Sequence, residues 1–198
     1  ALLAPGREAL WVANVGDSRA AIVSSAGAVV QETEDHKPFR PSESERVTKM
    51  GGTVRGTQYP DGVVDWRIYA GDSKWPGIAV SRSLGDESMK EIGVIADAEV
   101  VRWDLKGKDV SHVILACDGV WEFLPTAQVA SMVSTHLRSG LHAQLAMEGL
   151  LERARAEWKA NAGVQYCDDI TAICAPVQGR GAPRWDAEGH DSDSGDSG

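Results

Sequence analysis

The chain has 198 residues, of which 42% are hydrophobic and 25% charged, a composition typical of a globular domain. Its formal net charge is −9, and the acidic excess is concentrated after residue 185, where no Lys or Arg occurs. The sequence has no basic stripe that would attract a nucleic-acid backbone and no apolar run of the ~18 residues that a membrane span requires. We therefore expect neither nucleic acid nor a membrane among its partners.

Cys117, Cys167 and Cys174 do not have the spacing of a zinc site. Cys117 and Cys174 lie inside apolar runs, as buried thiols do. Free thiols fit a reducing compartment, so we expect an intracellular location, cytoplasmic or nuclear. The first residue is not Met and a strand-like run follows almost at once. We therefore interpret residue 1 as a processing boundary or as the start of an expressed fragment.

The first predicted elements are strands. Residues 10–15 and 19–24 are β-rich runs joined at Gly16, and this spacing predicts a β-hairpin that turns through residues 16–18. Residues 29–31 are the next strand candidate. Ser42 precedes Glu45 by three residues, which predicts a capping box and a helix that runs to about residue 50.

Residues 53–77 are rich in Gly, Pro and Asp, and they predict an irregular excursion rather than a core element. Two strands should follow, at 99–105 and 112–117, and the second is apolar on both faces, as expected at the centre of a packed sheet. Apolar periodicity then predicts two helices, at 126–138, with Thr126 as a plausible N-cap, and at 142–160.

A last strand is predicted at 169–175, and the Gly-, Ser- and Asp-rich residues 178–198 are expected to form an acidic disordered tail. This order of elements predicts the α+β class, with antiparallel sheets and helices packed outside them.

Three aspartates share one setting, at the end of an apolar strand beside Gly or another Asp: Asp17, Asp118 and Asp168. An isolated carboxylate is costly to bury, and clustered carboxylates repel each other. A hard divalent cation such as Mg²⁺ or Mn²⁺ would remove both costs, because it prefers oxygen ligands. Taken alone, each residue is better explained as a turn former, since Asp-Gly is a common turn dipeptide.

Six segments of the chain, in order, resemble the type 2C (PPM) family of metal-dependent protein serine/threonine phosphatases: Leu10–Arg19 (LWVANVGDSR), Asp35–Pro38 (DHKP), Glu45–Val54 (ERVTKMGGTV), Gly77–Asp86 (GIAVSRSLGD), Ala116–Glu122 (ACDGVWE) and Asp168–Thr171 (DDIT). One such match would mean little, but six in sequence order are specific. The resemblance implies the family's antiparallel β-sandwich flanked by helices. Residues 1–177 would be the C-terminal part of that catalytic domain, incomplete at its N-terminus, with residues 53–77 as a flap.

The resemblance also implies a metal site that holds two Mn²⁺ or Mg²⁺ ions, with a third ion in many members. Asp118 and Asp168 match the family's ligands of the second metal, and Asp17 matches a ligand of the third. Glu122 would share that third site, although many relatives have Asp there and Glu has a longer side chain. His36 and Arg82, by contrast, are expected to be structural hydrogen-bonding residues.

The family's first-metal motif, Asp-Gly-His-Gly, does not occur in this sequence, and the phosphate-binding Arg should lie upstream of residue 1. The resemblance therefore implies no catalytic residue within this chain beyond the metal ligands. The parent protein would be a monomeric enzyme that hydrolyses phosphoserine and phosphothreonine on protein substrates through a metal-bridged hydroxide, whereas the fragment alone would be inactive. The alternative is a non-catalytic phosphatase-like domain that binds protein partners.

Overall fold

The structure is a computed structural model that describes residues 2–3, 8–60, 62–73, 76–140, 143–162 and 166–177. The predicted acidic tail at 178–198 lies outside these residues. The chain divides into two compact units: residues 1–12, 20–32 and 101–198 form the first, and residues 13–19 and 33–100 form the second. Among the described helices, none is both long and apolar enough to cross a membrane.

In chain order, the helices and strands of the described residues are β1 (Leu2–Leu3), β2 (Ala9–Asn14), β3 (Arg19–Val23), β4 (Val29–Glu32), α1 (Pro41–Lys49), β5 (Gly52–Gln58), β6 (Val64–Ala70), α2 (Glu87–Lys90), β7 (Glu99–Asp104), β8 (His112–Ala116), α3 (Asp118–Trp121), α4 (Thr126–Arg138), α5 (Ala143–Asn161) and β9 (Ala172–Pro176). The strands form sheets of order β1-β2-β7, β4-β3-β8-β9 and β5-β6. The pairs β1–β2, β3–β4, β5–β6 and β8–β9 are antiparallel. The predicted α+β class, with antiparallel sheets flanked by helices, is confirmed.

The core of the first unit has two layers, one on each face of the four-stranded sheet. Ile22 of β3 and Val113 of β8 pack in one hydrophobic cluster with residues of β2 and β7, whereas their neighbours Val23 and Ile114 pack in the other with the helices. Successive side chains of a strand point to opposite faces, so a central strand that is covered on both faces has consecutive apolar residues, as β8 has after His112. The prediction for the strand at 112–117 is confirmed.

Strands β2 and β3 do not form the predicted hairpin, because they belong to different sheets. Leu10 and Val12 of β2 share one cluster with Ala20 and Ile22 of β3, so the two strands contribute to a core between the sheets rather than lying side by side. The connection through Gly16, whose φ is +92°, is therefore a corner between two sheets. The prediction of two strands is confirmed, and the prediction that they pair with each other is wrong.

Helices α4 and α5 cover the cluster that contains Val23 and Ile114. They confirm the helices predicted at 126–138 and 142–160. Val129 and Val133 of α4 and Leu150 and Ala154 of α5 are buried at intervals of four residues, as one face of an α-helix requires. Thr126 is the first helical residue rather than the N-cap, because Pro125 takes that position.

In the second unit, α1 packs beside β5 and its start differs from the prediction. Arg40 is the N-cap, Pro41 is the first helical residue, and no side chain caps the helix. Proline is well suited to that position because its fixed φ is already helical and it lacks the N–H that would have no partner. Glu45 pairs with Lys49 at 2.7 Å instead of closing a capping box with Ser42.

The prediction of an irregular excursion at 53–77 is wrong, because most of this segment is the regular hairpin of β5 and β6. Only Ile68 of β6 is fully buried, so the hydrophobic alternation is weak. Polar contacts support the hairpin instead: Arg55 of β5 lies 5.0 Å from the ring centre of Tyr69 of β6, and within β6 Arg67 pairs with Asp65 at 2.7 Å.

Candidate metal site

Asp118 lies where the central strand β8 ends. Cys117 is still extended, with φ −80° and ψ 172°, and the short helix α3 begins at Asp118. The Asp118 Oδ1 atom accepts a hydrogen bond from the Gly119 amide at 3.0 Å, and the Asp118 carbonyl accepts one from the Glu122 amide at 2.8 Å. The predicted ligand Glu122 therefore follows Asp118 by one helical turn, and it is exposed.

Asp168 lies in the loop that leads into β9, which begins at Ala172 rather than at the predicted residue 169. Its Oδ1 atom accepts a hydrogen bond from the Asp169 amide at 2.8 Å. Asp168 is half-buried, whereas Asp169 is exposed. No basic side chain among the residues that the structure describes forms an ion pair with Asp168.

The segments that carry Asp118 and Asp168 are in direct contact. The Cys117 amide donates to the Thr171 carbonyl at 3.2 Å, which extends the β8–β9 ladder by one step. The Cys117 thiol donates to the Asp169 carbonyl at 2.9 Å and its sulfur accepts from the Thr171 amide at 3.2 Å. A Cβ atom on Gly119 would lie 2.2 Å from the Asp169 carbonyl oxygen, so only glycine permits this approach.

These contacts fit a site for a hard divalent cation. Two carboxylates, on segments fixed by backbone hydrogen bonds, are oxygen donors of the kind that Mn²⁺ and Mg²⁺ prefer. Within the described part of the chain, no group of three or more His, Cys, Asp and Glu side chains is placed to hold a metal. Asp118 and Asp168 would therefore contribute part of a coordination sphere and not the whole of one.

Asp17 belongs to the second unit, at the corner that follows β2. Its Oδ2 atom lies 2.6 Å from the Lys37 ammonium, and its side chain is only 17% exposed. A cation that bound Asp17 would have to share the carboxylate with Lys37 or displace it. The role of Asp17 as a metal ligand stays a prediction.

Two other predictions for the second unit concern structural residues. His36 is fully buried, accepts a hydrogen bond from the Gly16 amide on Nδ1 at 3.1 Å, and contacts Glu99 through Nε2 at 3.2 Å. Arg82 pairs with Glu43 at 2.7 Å and donates to the Asp97 carbonyl. Both residues hold loops in place, as the sequence analysis expected.

Glu43 is the buried charge that the sequence analysis missed. It is fully buried in α1, and it accepts hydrogen bonds from Arg82, from Arg46 at 2.6 Å and from the Ser81 hydroxyl at 2.6 Å. Burial alone would raise the pKa of Glu43, but the hydrogen bonds from these partners lower that pKa well below 4.5. The only signal in the sequence is the spacing of three residues between Glu43 and Arg46, which is common on exposed helices.

The chain matches the family Protein phosphatase 2C over residues 1–162. It belongs to the protein phosphatase 2C family. A rice relative, "Probable protein phosphatase 2C 12" from Oryza sativa subsp. japonica, is 39% identical over 173 residues, which are 85% of this chain and 42% of the relative. The human relative "Probable protein phosphatase 1N" is 35% identical over 185 residues, covering 88% of this chain and 36% of the relative.

Two solved structures have the same fold as this chain. A serine-threonine phosphatase 2C from Toxoplasma gondii superimposes with a TM-score of 0.68 at 25% identity, over 84% of this chain and 54% of that one. A C. elegans sex determining protein has a TM-score of 0.65 at 18% identity, over 87% of this chain and 38% of that one, which shows a shared fold alone. The chain thus spans about half or less of each of these four proteins.

Proposed function

We propose that the protein containing this chain is a protein serine/threonine phosphatase that removes phosphate from phosphoserine and phosphothreonine of protein substrates. The observation that carries the proposal is the direct contact between the segments bearing Asp118 and Asp168 at the ends of core strands. Membership of the protein phosphatase 2C family supports it.

In this proposal Asp118 and Asp168 hold one Mn²⁺ or Mg²⁺ ion of a dinuclear site. Divalent cations bound there would neutralise the phosphate charge and lower the pKa of the attacking water. The part played by this chain is to hold two carboxylates in a fixed orientation. Gly119 directs the Asp118 carboxylate through its amide, and the Asp169 amide does the same for Asp168.

Asp17 and Glu122 are proposed as ligands of a third, weaker ion. Glu122 is exposed and one helical turn from Asp118, so its longer side chain is free to turn towards solvent. The ion pair between Asp17 and Lys37 lowers the electrostatic attraction of Asp17 for a cation. Each feature, taken by itself, would make its residue a weak ligand.

The experiment is an assay of Mn²⁺-dependent phosphopeptide hydrolysis by the complete protein and by its Asp118→Asn variant. Loss of an anionic ligand should lower the rate by at least about 10²-fold, because the metal contributes several kcal/mol of transition-state stabilisation. Asp104→Asn is the matched control, since Asp104 is exposed and lies at the end of β7. Turnover by Asp118→Asn equal to the wild-type rate would refute the role of Asp118. If the complete wild-type protein folds and binds Mn²⁺ but hydrolyses no phosphopeptide, the result would instead support the non-catalytic phosphatase-like domain.

A further inference from the structure

Trp158 of α5 contacts both segments of the candidate metal site. It is 7% exposed, and its indole N–H donates a hydrogen bond of 2.7 Å to the carbonyl of Gly119, the residue after Asp118. Its ring meets Phe123 edge to face at 4.8 Å and Tyr166 at 5.6 Å between ring centres. Tyr166 lies two residues before Asp168. One side chain therefore links the residues that flank both carboxylates.

The hydrogen bond to Gly119 acts on the orientation of Asp118. Glycine has the widest choice of φ and ψ, so an unrestrained Gly119 would allow the adjoining peptides to rotate. The Gly119 amide donates to Asp118 Oδ1 while its carbonyl accepts from Trp158. The amide and the carbonyl belong to the two peptide units that meet at the Gly119 Cα, so a hydrogen bond that anchors the second unit limits the rotation left to the first, which directs the carboxylate.

The aromatic contact acts on the other segment. Edge-to-face ring pairs contribute about 0.5–1.5 kcal/mol beyond the area they bury, and they favour one relative orientation of the rings. The pair of Trp158 and Tyr166 thus restrains the chain just before Asp168. Helix α5 is itself anchored by buried Leu150 and Ala154, so Trp158 extends from a rigid element.

We propose that Trp158 is a positioning residue that holds Asp118 and Asp168 in the relative placement needed to share one divalent cation. This inference rests on the proposed function, because it assumes that the two carboxylates bind the same ion. Groups that orient metal ligands without touching the metal commonly change its affinity by 10–100-fold when they are lost. Trp158 is expected to act at the lower end of that range, since its bond is made to the backbone.

The test measures the Mn²⁺ dissociation constant of the complete protein from the electron paramagnetic resonance signal of free Mn²⁺. Trp158→Phe keeps an aromatic ring and removes the N–H donor, and it should weaken Mn²⁺ binding by about tenfold. Trp103→Phe is the matched control, because Trp103 is 4% exposed and lies in the core between the sheets. The control should lower stability and leave the dissociation constant within about twofold of wild type, since distant sites act independently.

Tyr166→Leu is a second variant that covers the case in which Trp158→Phe fails to fold. Tyr166 is 59% exposed, so its replacement should cost little stability and still weaken Mn²⁺ binding. Mn²⁺ binding that is unchanged in both Trp158→Phe and Tyr166→Leu, while Asp118→Asn weakens it, would overturn the inference and leave the proposed function standing. Wild-type protein that binds no Mn²⁺ would overturn the proposed site and this inference with it.

Discussion

Replacing Gly119 by alanine should push apart the two segments that carry Asp118 and Asp168. A Cβ atom at residue 119 would lie 2.2 Å from the Asp169 carbonyl oxygen and 3.2 Å from a side-chain carbon of Ile170. The nearest atom belongs to the backbone, so no side-chain rotation relieves the clash. The oxygen would be about 1 Å inside ordinary van der Waals contact, and the chain at 168–170 must move.

Two opposing effects set the change in the free energy of unfolding that Gly119→Ala causes. Alanine in a helix is favoured over glycine by about 0.5–1 kcal/mol, because glycine loses more backbone entropy on folding. Overpacking of a well-packed site costs about 1–3 kcal/mol. The clash at Gly119 involves two backbone segments held by hydrogen bonds, so we expect the cost to exceed the gain by about 1–2 kcal/mol. For a chain of this length that corresponds to a melting temperature lower by about 2–8 °C.

The assay is thermal unfolding together with the Mn²⁺ dissociation constant, measured on Gly119→Ala and on Gly149→Ala. Gly149 is the matched control, because it lies in helix α5 and an added Cβ would meet nothing closer than His136 at 3.7 Å. Gly149→Ala should raise stability slightly and leave Mn²⁺ binding unchanged, whereas Gly119→Ala should weaken Mn²⁺ binding by about tenfold or more. A Gly119→Ala protein as stable as wild type, with wild-type Mn²⁺ affinity, would refute this reasoning.

Two further predictions concern a buried carboxylate and the free thiols. The pKa of Glu43 is lowered by its partners, so its contribution to stability should be fully present above about pH 4.5 and should be lost as the pH falls below that value. Glu43→Gln should lower the free energy of unfolding at pH 7 by about 3 kcal/mol and reduce its dependence on acid pH, and an unchanged acid unfolding curve would contradict this. Burial raises the pKa of Cys174 to about 11, so Cys174 should resist alkylation at pH 8 while exposed Cys167 reacts. Mass spectrometry that finds equal labelling of both thiols would show that Cys174 is not shielded.

Elements with a strong apolar period could be predicted from the sequence alone. Strand β8 is apolar on both faces because each face is covered by a separate cluster, and helix α4 places Val129 and Val133 on one buried face. The β5–β6 hairpin could not be predicted in this way, because its contacts are the Arg55–Tyr69 contact between the strands and the Arg67–Asp65 pair within β6 rather than a buried stripe. Polar contacts of this kind have no period that a sequence displays.

The pairing of strands β2 and β3 could not be predicted from the sequence either. The runs that became β2 and β3 have the length and turn residues of a hairpin, yet their apolar faces enclose one core between two sheets. A local sequence cannot distinguish these outcomes, because both give the same alternation along each strand. Whether the chain turns back or crosses over depends on distant contacts, such as the bond between Gly16 and His36.

The candidate site was predicted in part. The sequence places Asp118 and Asp168 at strand ends, and the family motifs single them out, but the spacing along the chain does not show that their segments touch. That contact depends on the thiol of Cys117 and the missing Cβ of Gly119, neither of which carries a charge or a familiar chemical role. Trp158 was identified from the sequence only as an apolar residue of a helix, whereas the structure shows its indole bonded to Gly119.

The central claim is that Asp118 and Asp168 bind one and the same ion, and a double-mutant cycle on Mn²⁺ affinity tests it most directly. The Mn²⁺ dissociation constant of the complete protein would be measured, from the concentration of free Mn²⁺, for Asp118→Asn, Asp168→Asn and the double variant. If both carboxylates bind one ion, each single substitution should weaken Mn²⁺ binding by at least about tenfold. The loss of affinity in the double variant should then be much smaller than the product of the two single losses. Strictly multiplicative effects, or wild-type affinity in either single variant, would contradict a shared ion.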